Sequence, residues 1–442
     1  MLLGLCLPLL VAFSPAQDTS AQAPAKETLG NPFSIERGAM KRGEFLPPYL
    51  ELVRQEEAYR ASERWSDAYL QARAGIASYL GEVDEADRLY LQSQGYKPGA
   101  AAPLTTSPLA GYRPTDAEAF LLRAAERHRV LMVNEAHHAP QTRVLTTRLL
   151  RGLWKRGYRY LALETFEPRA NGINRHARAY PLISDGTMTV DPIFGDEVRQ
   201  ALELGFTLVA YEIEIEGPAG EAGVARANRR DAEEARLLKE RIFDRDPKAK
   251  VLVHAGYQHI SEVPLPGREG EEAWIPMAMR LRQLTGIDPY TVDMQRMMPH
   301  AYPTAEPAAY RQALASGALG QRPVVFTTPQ GAVWTGATPY LTVDAQVFLP
   351  AAGTVEGRPD WMARDLGRRP CAVPAALRDD HAVREVAAYF AIEPENTVPV
   401  DRILVQPGQK ATLMLPRRKG GRFRLVARNV RGIIATTTVR VR

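Results

Sequence analysis

Cysteine is almost missing from this chain, with Cys6 and Cys371 the only two in 442 residues. Cys6 falls inside an N-terminal apolar run, so a chain that sheds that run keeps a single thiol. One thiol builds neither an internal disulfide nor a thiolate-rich metal site. A glycine-rich phosphate loop is also absent, and neither Ser184 nor Ser261 sits in a Gly-x-Ser-x-Gly elbow. Those absences argue against phosphate-loop and serine-hydrolase chemistry. No run beyond the N-terminus has the length of a membrane-spanning helix. Acidic residues vanish after Asp401: Arg402 to Arg442 hold eleven Lys/Arg and no Asp or Glu, leaving 45 basic against 51 acidic residues elsewhere. Phe423 is the only aromatic in that stretch, so no stacking platform for nucleic acid exists there. A basic module that meets an anionic envelope surface is the expectation, with no nucleic acid as partner.

What is present begins with a short apolar run, Leu2 to Phe13, followed by Ala21-Gln22-Ala23. This pattern predicts a signal peptide over 1–23 and a periplasmic or secreted protein. Residues 24–47, rich in Ala, Gln, Pro, Thr and Gly, read as a flexible leader. Apolar residues then recur at three- and four-residue spacings: Leu50, Val53, Ala58 and Ala61, then Tyr69, Ala72, Ile76 and Tyr79, then Val83, Ala86 and Tyr90. That period predicts a helical segment over 48–96. Residues 97–108, with three prolines, read as a linker.

From there strands and helices alternate. Strand-like runs occupy 129–135, 158–165, 206–212, 250–256 and 289–293, with further candidates at 323–327 and 341–348; helical patterns fill 140–156, 194–204, 223–243 and 273–285. Continuous apolar strands separated by helices predict an α/β domain over 110–375. It would be a three-layer, mainly parallel sheet with helices on both faces. Shorter strands at 397–405, 410–415, 422–428 and 432–441 predict a small antiparallel β domain over 385–442. Trp154, Trp274 and the methionines Met294, Met297 and Met298 fall where core residues are expected.

The first five predicted strands end in an acid or a histidine: Glu135 with His137 and His138, Glu164, Glu212, His254 with His259, and Asp293. Ligands in parallel sheets bind outside the carboxyl ends of the strands, so these groups would share one edge. Two chemistries use such a set. Glu135, His137, Glu164 and His259 could hold a divalent ion, Zn²⁺ or Mn²⁺, that activates water. Alternatively, a His/Glu base attacks through water directly while arginine binds an anionic group.

The run Val133-Asn-Glu-Ala-His-His138, the Glu-ended strand Ala162-Leu-Glu164-Thr, the basic helix around Asn228-Arg-Arg-Asp231 and the closing Ala255-Gly-Tyr-Gln-His259 resemble one superfamily. It unites erythromycin esterases, ChaN-type haem-binding lipoproteins and the TIKI/TraB metalloprotease-like proteins, and the resemblance covers about residues 125–300. It implies a reactive set of Glu135, His137, Glu164 and His259, with His138 competing with His137. Arg229 or Arg230 would match the basic helix; the strand-end pattern, apart from the resemblance, adds His254 and Glu212 as further binding residues. An esterase-like member would hydrolyse an ester or amide of a small molecule or peptide; a ChaN-like member would bind haem without turnover. Asn134 stands where the superfamily has glycine, and asparagine tolerates a left-handed turn better than most residues.

Overall fold

Eight strands form the central sheet in this computed structural model, which describes residues 29–100, 103–104, 106–212, 223–267, 272–336, 341–417 and 421–441. The expected signal peptide at 1–23 lies outside the described residues. The chain enters through five helices: α1 (Pro32–Arg42), α2 (Leu46–Arg54), α3 (Glu56–Arg60), α4 (Ser66–Tyr79) and α5 (Val83–Ser93). Helix α1 occupies part of the stretch expected to be a flexible leader. Its boundaries follow from local chemistry: the Asn31 side chain accepts from Phe33 N at 3.0 Å, Pro32 opens the first turn, and Gly43 at φ 67° closes it. The ends were written in the sequence, but a low apolar content between them hid the helix.

There follow β1 (Arg113–Asp116), α6 (Ala117–Arg127), β2 (Val130–Glu135), α7 (Val144–Lys155), β3 (Tyr160–Leu163), α8 (Pro192–Leu204), β4 (Thr207–Ala210), α9 (Gly223–Leu238), β5 (Val251–Gly256), α10 (Met277–Thr285), β6 (Tyr290–Met297), α11 (Ala308–Ala315), β7 (Val324–Thr327) and β8 (Ala345–Phe348). The sheet order is β1-β7-β8-β6-β2-β5-β3-β4. The block from β8 to β4 is parallel, while β7 runs antiparallel to both β8 and β1. Both faces are covered. On β2, Leu131 and Val133 join the core beneath α6, α7 and α8, whereas Val130 and Met132 join the core beneath α9 and α10. The two-residue period of a strand thus sends Glu135 toward the α7 side and Asn134 toward the other. Each fully buried Leu or Val contributes about 1.5–3 kcal/mol, which fixes the register and hence the direction of every strand-end group.

The C-terminal part comprises β9 (Thr354–Val355), β10 (Arg358–Pro359), α12 (Trp361–Arg364), β11 (Arg369–Ala372), β12 (Arg384–Phe390), β13 (Asp401–Val405), β14 (Thr412–Leu415), β15 (Arg422–Asn429) and β16 (Gly432–Arg440). Strands β13-β12-β15-β16 form an antiparallel sheet, and β11 pairs with β14. The small β region therefore draws on residues ahead of the expected boundary at 385, and it includes β12, which the sequence reading did not identify. Buried arginines join it to the rest: Arg199 on α8 reaches Glu393 at 2.7 Å, and Arg402 lies 4.4 Å over the Phe45 ring. No helix among the described residues is long and apolar enough to cross a membrane.

Candidate active site

Strand β2 ends in Glu135, buried on the α7 side, where the guanidinium of Arg143 meets it at 3.0 and 2.8 Å. The same arginine donates to the His137 carbonyl at 2.7 Å and lies 3.3 Å from Asp191, the N-cap of α8. His137 turns back and bonds Glu135 through Nδ1. Burial alone would raise the Glu135 carboxyl, but Arg143 and His137 outweigh it and hold it down at about 2. Burial disfavours a charged His137, and the facing Glu135 more than offsets that, so its pKa is raised. The His137 side chain keeps 33% of its surface open.

A second imidazole is anchored the same way. His259, just beyond β5, bonds Asp231 through Nδ1, and Trp274 Nε1 donates to the other Asp231 oxygen at 2.5 Å. Burial works against the charged ring, yet Asp231 prevails and lifts the His259 pKa to about 9. Its Nε2 lies 3.9 Å from Glu164, the carboxylate that ends β3. Glu164 also accepts from Gly256 N and from Arg230. Burial would raise it, but Arg230, His259 and His137 together hold it well below the usual carboxylate range. Arg230 donates as well to Glu212 at 2.8 Å and to Glu234 at 2.8 Å. Burial raises the Glu212 and Glu234 carboxyls despite that arginine.

Gly256 is the floor between the two halves. A Cβ there would sit 2.4 Å from His137 Cε1, 2.9 Å from its Nε2 and 3.1 Å from Glu164 Oε2. Only glycine lets ring and carboxylate approach one another over that backbone. The next residue, Tyr257, holds φ 46°, a left-handed conformation that costs a non-glycine residue about 1 kcal/mol. Asn134 supports it: its Nδ2 donates to Tyr257 O at 2.8 Å and to Asp293 Oδ1 at 3.0 Å, and its Oδ1 accepts from Met294 N at 2.7 Å. Asn134 itself is extended within β2, so the left-handed turn expected there belongs to Tyr257 instead. Asp293 is likewise a support, taken up by Asn134 and by Gln346 at 3.0 Å.

The structure brings together Glu135, His137, Glu164, Glu212 and His259, which lie at or just beyond strand ends, with Arg230 of helix α9. Of the arginine pair, Arg230 makes the bonds to these carboxylates. His138 points elsewhere: its ring stacks on Tyr90 of α5 at 3.8 Å and faces Asp87 at 3.6 Å, while Asp87 accepts from His300 at 2.9 Å. His254 is closed off from solvent and bonds Glu197 of α8 at 3.1 Å. A cavity of about 590 Å³ opens on the His138 side, lined by Asp87, Gln141, His300, Arg358 and Lys410. Sequence reasoning missed Arg143, Asp191, Asp231, Glu234, Tyr257 and the N-terminal Asp87 and Tyr90. Trp274, expected as plain core, is half-buried and holds Asp231. One signal was available: Arg230 and Glu234 are four apart and share a helix face.

Asp231, Glu234 and His259 present donor atoms within 4.8 Å of one another and could hold a metal ion. Glu234 Oε2 is buried without a hydrogen-bond partner, as a ligand atom would be. Of the expected metal set Glu135, His137, Glu164 and His259, that group includes His259 and not the other three. No protein-family model and no curated protein sequence matches the chain. Among solved structures, it is similar to one described as bacterial protein toxins, with TM-score 0.32 and 13% identity over 60% of this chain and 57% of that one. It is also similar to RRSP, a MARTX toxin effector domain from Vibrio vulnificus CMCP6, with TM-score 0.30 and 12% identity over 57% and 54% of the two chains; the alignment spans little more than half of either relative.

Proposed function

We propose that this protein is an exported hydrolase of the erythromycin-esterase/ChaN/TIKI superfamily that cleaves an ester or amide by activating water. One observation carries the reading: two imidazoles, each pinned through Nδ1 to a buried carboxylate, flank the same ionised Glu164. A carboxylate at Nδ1 fixes the tautomer, leaving Nε2 as the working atom, which is the logic of a His/Asp pair in acyl transfer. His137, with its more open side chain, is the base that takes a proton from water at Nε2. His259, held as an imidazolium up to about pH 9, donates from Nε2 to the developing oxyanion or the leaving group. Glu164 stays ionised and stabilises both rings when protonated. Arg143 and Arg230 hold the carboxylates in place.

A divalent ion such as Zn²⁺ or Mn²⁺, if bound, would be held by Asp231, Glu234 and His259 and would supply Lewis-acid polarisation. The basic β region is suited to attachment at an anionic envelope surface. The test is turnover of a panel of esters and amides by the full chain and by His137→Ala and Glu164→Gln, alongside elemental analysis and haemin titration. Turnover lost in both variants with folding intact supports the hydrolase. A Soret shift abolished by His137→Ala, with no turnover on the panel, overturns it in favour of a haem carrier.

A further inference from the structure

The cluster is short of positive charge. Its carboxylates are Glu135, Asp191, Glu164, Glu212, Asp231 and Glu234; facing them are two guanidiniums, Arg143 and Arg230, and two imidazoles. Even with both histidines protonated, six carboxyl groups share four cations, and two of the six, Glu212 and Glu234, have their carboxyls pushed up by burial and by the neighbouring Glu164. The deficit is uneven. Around Arg143, two carboxylates face that arginine and His137. Around Arg230, four carboxylates share one guanidinium and His259. Buried Glu234 Oε2 has no hydrogen-bond partner, an independent sign that this half lacks a donor.

Only one of these carboxylates is open to a ligand. The Glu212 side chain is 31% exposed, and the other five are 4% or less. Half-buried Tyr257 and Trp274, packed edge-on against the two imidazoles, add aromatic surface at the rim, and aromatic faces attract cations.

We propose that the site takes substrates that carry an ammonium group, and that Glu212 is the residue that selects them. The selection rests on the hydrolase reading only for the identity of the bond cleaved; the charge preference stands on binding alone. An ammonium at Glu212 supplies donors that Arg230, spread over Glu164, Glu212 and Glu234, cannot. A carboxylate-bearing substrate meets the open Glu212 carboxyl and gains no donor from it.

Two measurements on the full-length chain, in buffer containing a metal chelator, test this. Calorimetry compares 6-aminohexanamide with hexanamide, and kinetics compare the 4-nitrophenyl esters of 6-aminohexanoate, hexanoate and adipate. The amine is expected to bind about tenfold tighter than its neutral counterpart, the difference one charge-assisted hydrogen bond confers. The esters should rank amine, neutral, carboxylate in kcat/KM. Glu212→Gln, melting as the wild type does, should bring both ratios to about one, and Glu212→Asp should keep part of the preference. Equal binding of amine and neutral amide, or a preference that survives Glu212→Gln, overturns the proposal. Binding preference without turnover of any ester, in kinetics repeated with Zn²⁺ or Mn²⁺ in place of the chelator, leaves the selection intact and rejects the hydrolase instead.

Discussion

The two carboxylate-anchored histidines differ in what holds the anchor. Glu135, behind His137, is clamped by the charged guanidinium of Arg143, while Asp231, behind His259, is held by the neutral indole N–H of Trp274. A cation behind the carboxylate drains part of its pull on the imidazole; Arg143 itself counts against a charged His137. The indole N–H is neutral, and the pull of Asp231, aided by Glu164 and Glu234, prevails over burial and over Arg230, so His259 keeps its proton to about pH 9. The same device therefore yields a base on one side and an acid on the other. Pairs of titratable groups driven apart by their surroundings mark such a division of labour.

Breaking the pair should have the largest effect. His137→Ala is expected to lower kcat by about 10²–10⁴-fold, the usual worth of a positioned base, and steady-state kinetics on any ester that is turned over would check it. If His137→Ala costs almost nothing while His259→Ala costs as much as expected, the base is not His137.

A smaller effect sharpens the contrast. Activity needs His137 neutral and His259 charged, so the pH profile should be a bell whose alkaline limb lies near 9. Asp231→Asn keeps the shape of the anchor but removes its charge. It should bring that limb down toward about 6.5, the ordinary imidazole value, narrowing the bell and lowering its maximum because His137 is itself raised. An alkaline limb unmoved in Asp231→Asn would assign it to another group.

The smallest effect is on stability, and the two halves should lose it at opposite ends of the pH scale. Glu135, lowered to about 2 from 4.5, contributes stability above about pH 4.5 that is lost as pH falls through 2. His259, raised from 6.5 to about 9, contributes stability below pH 6.5 that is lost as pH rises through 9. Each is worth up to about 3 kcal/mol by linkage. Chemical denaturation followed across pH should lose its alkaline decline in Asp231→Asn and keep its acid one.

Much of the fold was legible in the chain. The apolar runs ending in Glu135, Glu164, Glu212 and His254 placed those strands to within a few residues, because burial on both faces leaves only continuous apolar segments. Helix α1 was not read despite its legible caps, because few apolar residues lie between them, and strand β12 was not identified. The site was half legible. Residues at strand ends could be read, because a strand's end is a local fact. Asp231 and Trp274 could not, because their meeting with His259 joins helix α9 to a segment 43 residues farther along.

By itself, the sequence determined which side chains stand at the carboxyl edge of the sheet, since strand direction and the two-residue period follow from local apolar pattern. Tertiary structure alone decided which of them work together. It turned His137 inward and stacked His138 under Tyr90. It also gave one anchor a charged clamp and the other a neutral one, and left Glu212 as the open carboxylate. Those outcomes depend on distances between remote segments and on solvent exclusion, which set the strength of charge interactions and have no signature along a single chain.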